Sequence, residues 1–142
     1  MPIQIRSATE QDEAAILDLW QACGLIVSAN DPARDFRFVR AKPTSDILAA
    51  FDETGALIGS VAAGYDSNRG WLSYVSVAPA LRDKGVGRDL VRAAEQWLAA
   101  HGVTKVHLTV RAANAAVVQF YERIGYGAVP SILMEKELNQ PD

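Results

Sequence analysis

The sequence has a single cysteine, Cys23, among its 142 residues, so no disulfide can form within the chain. It also lacks any run of about 18 apolar residues, the usual minimum for a membrane-spanning helix. It opens on a strand-like sequence and not on the apolar core of a signal peptide. We therefore expect a cytoplasmic protein, in a reducing compartment, that makes no contact with a membrane. We expect Cys23 to be a small packed side chain and not a nucleophile, because no His or Lys lies near it in sequence.

Excess positive charge is also missing. The 14 Lys and Arg residues are outnumbered by 17 Asp and Glu residues, which gives a net charge of −3 and an isoelectric point near 5.3. A nucleic acid partner is therefore not expected, because binding to phosphate backbones needs a basic surface. With 49% hydrophobic residues, a chain of this length can bury a core without a metal or a disulfide. We expect one domain, residues 1–142, and no metal, and the sequence leaves a homodimer open.

The hydrophobic pattern switches several times between the strand period and the helix period. Thr9 and Asp12 have the spacing of a capping box at a helix start, and Asp31-Pro32 is a typical N-cap and first helical residue. Gly102 is placed to end the longest helix. The predicted order is β-α-α-β-β-β-α-β-α-β-β, with strands at 3–6, 47–52, 56–65, 71–77, 105–110, 126–129 and 132–137 and helices between 9 and 24 and at 31–40, 85–101 and 114–124. This order predicts an α+β fold, a mixed sheet with helices packed on its faces.

A segment that contains two glycines, Arg82-Asp83-Lys84-Gly85-Val86-Gly87-Arg88, follows a predicted strand and opens the longest helix. The glycines let the backbone approach a ligand without Cβ atoms in between. The first N–H groups of a helix have no partner within it, and the helix dipole favours an anion there. Three basic side chains add positive charge. The segment therefore suits a pyrophosphate, and a tight turn that needs glycine for positive φ is the alternative.

Two other phosphate-binding motifs fit this segment poorly. It lacks the Lys-Ser/Thr pair that ends a P-loop, so phosphates bound with Mg²⁺ are not expected. A dinucleotide-binding motif would be followed, about 20 positions later, by an acidic residue at the end of a second strand, and none is found there.

The motif Arg82-x-x-Gly85-x-Gly87, followed by a long helix, a strand and a second motif from Asn114 to Tyr126, resembles the GNAT family of N-acetyltransferases. The second motif reads Asn114-x₅-Phe120-Tyr121-Glu122-x-x-Gly125-Tyr126. The resemblance covers nearly the whole chain, because the order of the elements also matches. The segments at 64–71 and Asn30-Asp31-Pro32 resemble a bacterial subgroup, the YpeA-like acetyltransferases.

This resemblance implies an acyl-CoA N-acyltransferase fold, in which a mostly antiparallel mixed sheet has a splayed central pair of strands and helices on both faces. The strand at 71–77 would carry a bulge, and the pantetheine arm of acetyl-CoA would pair with its backbone at Val75 and Val77. The N–H groups from Arg82 to Arg88 would hold the pyrophosphate. Asn114 would hydrogen-bond the cofactor arm, and the hydroxyl of Tyr121 would face the thioester sulfur.

The chemistry of acyl transfer explains why such groups are needed. The amine must be neutral, the thioester carbonyl must be polarised, and the departing thiolate must be stabilised. A backbone N–H of the splayed strand can polarise the carbonyl, and Tyr121, with an ordinary pKa near ~10, can donate a hydrogen bond or a proton to the departing sulfur. By periodicity alone Tyr121 would be a core residue, and Asn114 could serve as an N-cap. Direct attack is expected because the chain offers no convincing nucleophile, and a non-catalytic acyl-CoA sensor is the alternative.

The general base is not determined by the sequence. The strand at 71–77 contains no carboxylate. Asp66, in the preceding turn, is the nearest one, and a turn role is more usual for such a residue.

The acceptor is expected to be an amine of a small molecule, an amino acid or a peptide. The resemblance implies that the segment at 25–43 and the loop near 129–131 wall the acceptor cleft. In the first of these, three arginines at helical spacing could meet an acidic acceptor or form a solvated face, whereas two aspartates could favour a cation. These residues are Arg34, Arg37 and Arg40, and Asp31 and Asp35.

Overall fold

The computed structural model describes residues 2–26 and 31–138, so Asn30 of the subgroup motif lies outside the described residues. The chain divides into two compact units, Met1–Thr109 and Val110–Asp142. The first unit contains β1 (Gln4–Ser7), α1 (Glu13–Ala22), α2 (Pro32–Arg40), β2 (Ser45–Phe51), β3 (Leu57–Tyr65), β4 (Arg69–Val77), α3 (Val86–Ala100) and β5 (Lys105–His107). The second contains α4 (Ala115–Arg123).

The predicted helix boundaries in the first unit are confirmed by local hydrogen bonds. The Thr9 N–H donates to Oδ2 of Asp12 at 2.8 Å, which forms a capping box. This box opens a short 3₁₀ turn that leads into α1. At α2, Oδ1 of Asp31 accepts from the Arg34 N–H at 3.1 Å. Gly102 has a φ of 85° just after α3, a conformation that only glycine adopts without strain.

The sheet has the order β1-β2-β3-β4-β5. The first four strands form an antiparallel meander, and β5 lies parallel to β4 after the chain has crossed over through α3. The prediction of a mixed, mostly antiparallel sheet is therefore confirmed.

Helices cover both faces of the sheet, and two adjacent residues of β3 show this. On one face Nε1 of Trp20, from α1, donates to Oγ of Ser60 at 3.0 Å, and both residues are buried. On the other face a Cβ added to Gly59 would lie 2.6 Å from Cδ1 of Leu90 and 3.3 Å from Cγ1 of Val86, both on α3. Because successive strand residues point to opposite faces, α1 and α3 lie on opposite sides.

The core on the α1 side includes the inward residues of α1 and α2 and those of β2 and β3. Its buried members are Ala8, Ile16, Trp20, Phe36, Ile47, Ala49 and Ala62. On the α3 side, Gly59 receives the first turns of α3, and Gly70 receives Leu98 near its end. Two glycines inside strands thus seat the two halves of α3 directly on the sheet, as expected where a backbone must be approached closely.

The prediction is wrong at the C-terminal end. The chain between 126 and 138 forms no strand, although two were predicted there. Its large apolar side chains are exposed, with Ile132 at 88% and Met134 at 87%. An alternating pattern indicates a strand only where a neighbouring strand is available to pair with it, and no described strand pairs with this segment.

Candidate active site

The central feature of the site is a bulge in β4. Ser60 of β3 pairs with Ser76, whereas Ala62 pairs with Ser73. Two residues of β4, Tyr74 and Val75, therefore lie opposite one residue of β3, and this arrangement is a β-bulge. The bulge expected in this strand is confirmed, and Val75 lies within it.

Beyond Trp71, β4 leaves its neighbour. β5 pairs with β4 only from Lys105 to His107, opposite Arg69 to Trp71. This strand was predicted to continue to Val110, and it ends earlier because the two strands diverge. The expected splayed pair is therefore present, and no described strand pairs with the outer edge of β4 after Trp71.

The backbone of Val77 points toward this open edge. The Ala78 N–H donates to the Ile58 carbonyl of β3 at 2.8 Å. Because backbone groups of an antiparallel strand alternate between its two edges, the N–H and C=O of Val77 point away from β3. Sγ of Cys23 lies 3.2 Å from the Val77 carbonyl oxygen and donates to it. Cys23 is half-buried, in keeping with the predicted packed role.

Tyr74 holds the bulge in an unusual conformation. Its φ of 51° lies in the left-handed region, which costs a residue with a Cβ about 1–2 kcal/mol. Its ring stacks on Trp20, with centroids 3.9 Å apart and an angle of 13° between the planes. Its hydroxyl donates to Oδ2 of Asp35 at 2.6 Å.

A buried network of hydrogen bonds next to the bulge supports its conformation. Oγ of Ser60, which accepts from Trp20, lies 2.8 Å from Oγ of Ser76. Both serines are buried, and Ser76 directly follows the bulge. Every member of the network has a hydrogen-bond partner, so its burial fixes the register of β3 against β4 without leaving a polar group unsatisfied.

The predicted phosphate segment forms an open loop at the N-terminus of α3. Gly85 is the N-cap, with a φ of 85° and no side chain to cap the helix. A Cβ added to Gly85 would meet no atom within 4 Å, so the space beside this residue is open. Glycine is needed here because of the positive φ and not because a neighbouring atom excludes a side chain. Val86 begins α3 with a buried side chain, and Gly87 is the second helical residue. The first backbone N–H groups of α3 therefore point out at a helix end that no side chain caps.

The charges around this loop favour an anion. Arg82, Lys84 and Arg88 are exposed, and none of the salt bridges among the described residues involves them. Asp83 is also exposed and has a φ of 65°, so its carboxylate opposes an anion while its backbone shapes the turn.

In the second unit, Asn114 precedes α4 at the N-cap position but makes no side-chain capping bond. Its exposed amide is thus available for another partner. Tyr121 is buried, with its ring edge-on to Phe120 and to Tyr126 at centroid distances of 5.0 and 5.6 Å. Burial raises the pKa of Tyr121 to about 12, so the phenol keeps its proton at neutral pH.

Two of the three arginines of α2, Arg34 and Arg37, are exposed, and Arg40 is half-buried. Nε and Nη2 of Arg37 each lie 2.9 Å from the Glu13 carboxylate, and Nε of Arg40 donates to the Ala8 carbonyl at 3.0 Å. Two of the three arginines therefore fasten α2 to the rest of the unit. Arg34 remains exposed.

Some residues that shape the site were missed by the sequence analysis. A glycine inside a strand pattern signals close approach of another backbone or side chain, so Gly59 could have been identified as a seat for α3. The bulge at Tyr74 has no comparable sequence signal, because tyrosine is an ordinary strand residue.

The described residues contain no group of three or more His, Cys, Asp or Glu side chains arranged to hold a metal ion. None of their helices combines the length and the apolar character needed to cross a membrane.

Comparison with known proteins identifies the family and the fold of the chain. The model of the acetyltransferase (GNAT) family matches residues 12–126. An acetyltransferase of Pectobacterium atrosepticum is 36% identical over 137 residues, which cover 96% of each chain. The structure of AAC(6')-Iy in complex with the bisubstrate analogue CoA-S-monomethyl-acetylneamine superposes with a TM-score of 0.82 at 15% identity, covering 98% of this chain and 100% of that one. The PaiA N-acetyltransferase of Thermoplasma acidophilum, solved with coenzyme A, gives a TM-score of 0.74 at 19% identity and covers 93% and 94% of the two chains.

The family match defines the class of the protein as an acyltransferase, and the bulged strand, the splayed pair of strands and the open helix end are the features expected of that class. The chain belongs to the GNAT family of acetyltransferases.

Proposed function

We propose that the chain transfers the acetyl group of acetyl-CoA to a primary amine of a small molecule, an amino acid or a peptide, by direct attack in a ternary complex. The observation that carries the proposal is the bulge of β4 at the point where β5 has left it. A backbone N–H on such an edge can donate to the thioester carbonyl and stabilise the negative charge that develops there. Val75 and Val77 are the proposed partners of the pantetheine arm.

The pyrophosphate is proposed to bind at the N-terminus of α3, through backbone N–H groups between Arg82 and Arg88. Gly85 and Gly87 permit the close approach, and the three basic side chains supply attraction. Asp83 is proposed to contribute through its backbone alone, because a carboxylate repels phosphate. Two observations support these roles. No side chain caps this end of α3, and Arg82, Lys84 and Arg88 take part in none of the salt bridges among the described residues.

Asn114 and Tyr121 are the proposed contacts of the second unit. The uncapped amide of Asn114 supports a hydrogen bond to the cofactor arm. Tyr121, with a pKa of about 12, is a weaker acid than a free thiol, whose pKa is about 8.5. Complete proton transfer from Tyr121 to a free thiolate is therefore uphill. Tyr121 is accordingly proposed to donate a hydrogen bond to the sulfur as the C–S bond breaks.

The test is a screen of primary amines, amino acids and peptides with acetyl-CoA as donor. Release of the coenzyme A thiol and the mass of the acetylated product are measured. Initial-rate lines that intersect are expected for a ternary complex, whereas parallel lines would indicate a covalent acetyl-enzyme. Cys23→Ser is the matched control and is expected to keep turnover. Tight acetyl-CoA binding without release of thiol with any amine would contradict the proposal and favour a sensor.

We also propose that the chain works as one acetyltransferase domain. The family match runs from residue 12 to residue 126 and so includes parts of both compact units.

A further inference from the structure

The site described so far lacks a group that takes a proton from the acceptor amine. The sequence offers no carboxylate on the strand at 71–77. In the folded unit, however, α2 brings one to this strand, because Oδ2 of Asp35 accepts from the Tyr74 hydroxyl at 2.6 Å. The carboxylate is thus one tyrosine side chain away from the backbone of the bulge.

The contact is held from several directions. The Tyr74 ring is fixed against Trp20, and α2 is fastened by the pair of Arg37 with Glu13 and by the bond from Arg40 to the chain near β1. Asp35 therefore has a defined position relative to the bulge, which a catalytic group requires.

Among the described residues, Asp35 has no cationic partner. Its side chain is half-buried, and no Lys or Arg there forms a salt bridge with it. Arg37, two positions along α2, is committed to Glu13. A half-buried carboxylate with a hydrogen bond but no cation is an environment that attracts an ammonium group.

We propose that Asp35 binds the amine of the acceptor and accepts a proton from its nitrogen, with Tyr74 as the positioning residue. The proposal rests on the proposed function, and it names the acceptor class as amines that are protonated at neutral pH.

The ammonium nitrogen gives one proton to the Asp35 carboxylate, and its freed lone pair forms the C–N bond to the acetyl carbon. The C–S bond breaks, and its electron pair leaves on sulfur. A second proton from the nitrogen reaches the thiolate, so that an N-acetyl amide and coenzyme A are formed. Asp35 then returns its proton to water.

The experiment compares two small amines of nearly the same shape, ethylamine and 2,2,2-trifluoroethylamine, at saturating acetyl-CoA. At pH 7 the first is an ammonium ion and the second is largely neutral, so the two differ in charge and little in shape. Asp35→Asn is expected to lower kcat/KM for ethylamine by ~10²-fold or more, the usual effect of losing a general base. For the trifluoro amine it is expected to lower kcat/KM by less than ~10-fold, since there is no ammonium proton to remove.

Three variants separate this role from a structural one. The amide of Asp35→Asn can still accept from Tyr74, so the bulge and acetyl-CoA affinity should be preserved. Tyr74→Phe keeps the stacked ring but loses the bond to Asp35. It is expected to slow both amines because the bulge is loosened, and to slow ethylamine more because the carboxylate is loosened as well. Asp18→Asn removes the same charge at an exposed residue of α1 that is outside the proposed site, and it is expected to leave both rates unchanged.

Equal losses for the two amines in Asp35→Asn would overturn the proposal and leave Asp35 a structural residue. Equal effects of Asp18→Asn and Asp35→Asn would also overturn it, since the loss of any negative charge in this unit would then have the same effect. If the parent transfers acetyl to neither amine but does acetylate another amine in the screen, the assignment of Asp35 fails while the proposed function stands. If it acetylates no amine at all, both fail.

Discussion

The two ends of α3 provide a stringent test of the pyrophosphate site. Gly85 precedes the helix and Gly102 follows it, and both have a φ of 85°. At neither position would an added Cβ meet an atom within 4 Å. Gly85→Ala and Gly102→Ala therefore introduce the same backbone strain at opposite ends of one helix, and each is expected to lower the free energy of unfolding by ~1–2 kcal/mol.

Their effects on coenzyme A binding should differ sharply. Gly85 lies at the positive end of the helix dipole, beside the open space where the pyrophosphate is proposed to bind, whereas Gly102 lies at the negative end. Hydrogen bonds to charged groups are worth ~1.5–3 kcal/mol each, so the loss of one raises the dissociation constant by ~10-fold or more. We expect this loss for Gly85→Ala and almost none for Gly102→Ala.

The variant Gly87→Ala tests whether weaker coenzyme A binding could result from a loss of stability. Gly87 lies within α3, where alanine is a better helix former than glycine by about 1 kcal/mol. This variant should melt no lower than the parent and still bind coenzyme A more weakly. Isothermal titration with coenzyme A, alongside thermal melts, measures both quantities. If Gly85→Ala and Gly87→Ala bind coenzyme A as tightly as Gly102→Ala does, the segment is only a turn and the reasoning is refuted.

Three further predictions concern Tyr121 and Gly59. Tyr121→Phe should lower kcat by ~10–10²-fold, the value of one hydrogen bond to a developing charge, while acetyl-CoA affinity stays the same; equal losses in both would make the hydroxyl a binding group. Because burial raises the pKa of Tyr121 from 10.0 to about 12, its stabilising contribution is complete below pH 10 and is lost as the pH rises toward 12. Across that window the unfolding free energy of the parent should fall by about 3 kcal/mol more than that of Tyr121→Phe. Plots of unfolding free energy against pH that run parallel for the two proteins would show that the phenol does not titrate in this way. Gly59→Ala should lower the unfolding free energy by ~1–3 kcal/mol in denaturant titrations, because its Cβ would lie 2.6 Å from Leu90 and 2.9 Å from the Ser76 carbonyl. An unchanged midpoint would mean that α3 is not seated as closely as described.

Local sequence signals were sufficient where the chain obeys a single period between clear boundaries. The capping box at Thr9 and the Asp31-Pro32 pair predicted the starts of two helices, and both are present with the expected hydrogen bonds. The antiparallel pairing of β2, β3 and β4 could also be predicted, since short turns separate these three strands. The loop before α3 was recognisable from two features. Its two glycines allow a ligand to approach the backbone closely, and its position between a strand and a helix exposes the first N–H groups of that helix to an anion.

Features that depend on strand register could not be predicted in this way. The contact between Tyr74 and Asp35 joins residues 39 positions apart, and it exists because a bulge turns one tyrosine toward α2. The early end of β5 has the same origin, since its apolar alternation continues to Val110 but its partner strand diverges. At 132–137 the pattern was that of a strand, and no described strand pairs with it.

The choice of tyrosine at position 74 connects the strain of the bulge to its function. Glycine would adopt a φ of 51° without strain, but it would also leave the bulge free to change conformation. Tyrosine introduces strain and then supplies the contacts that hold it, a stacked ring against Trp20 and a hydrogen bond to Asp35. A strained residue persists only where its surroundings fix it, and such residues cluster at functional sites. A donor that is already fixed before the thioester arrives needs no reorganisation as charge develops, and preorganisation of this kind is the main source of electrostatic catalysis. The same two contacts that hold the bulge therefore place the Asp35 carboxylate one tyrosine side chain away from its backbone, so that one tyrosine sets the positions of both the proposed carbonyl donor and the proposed base.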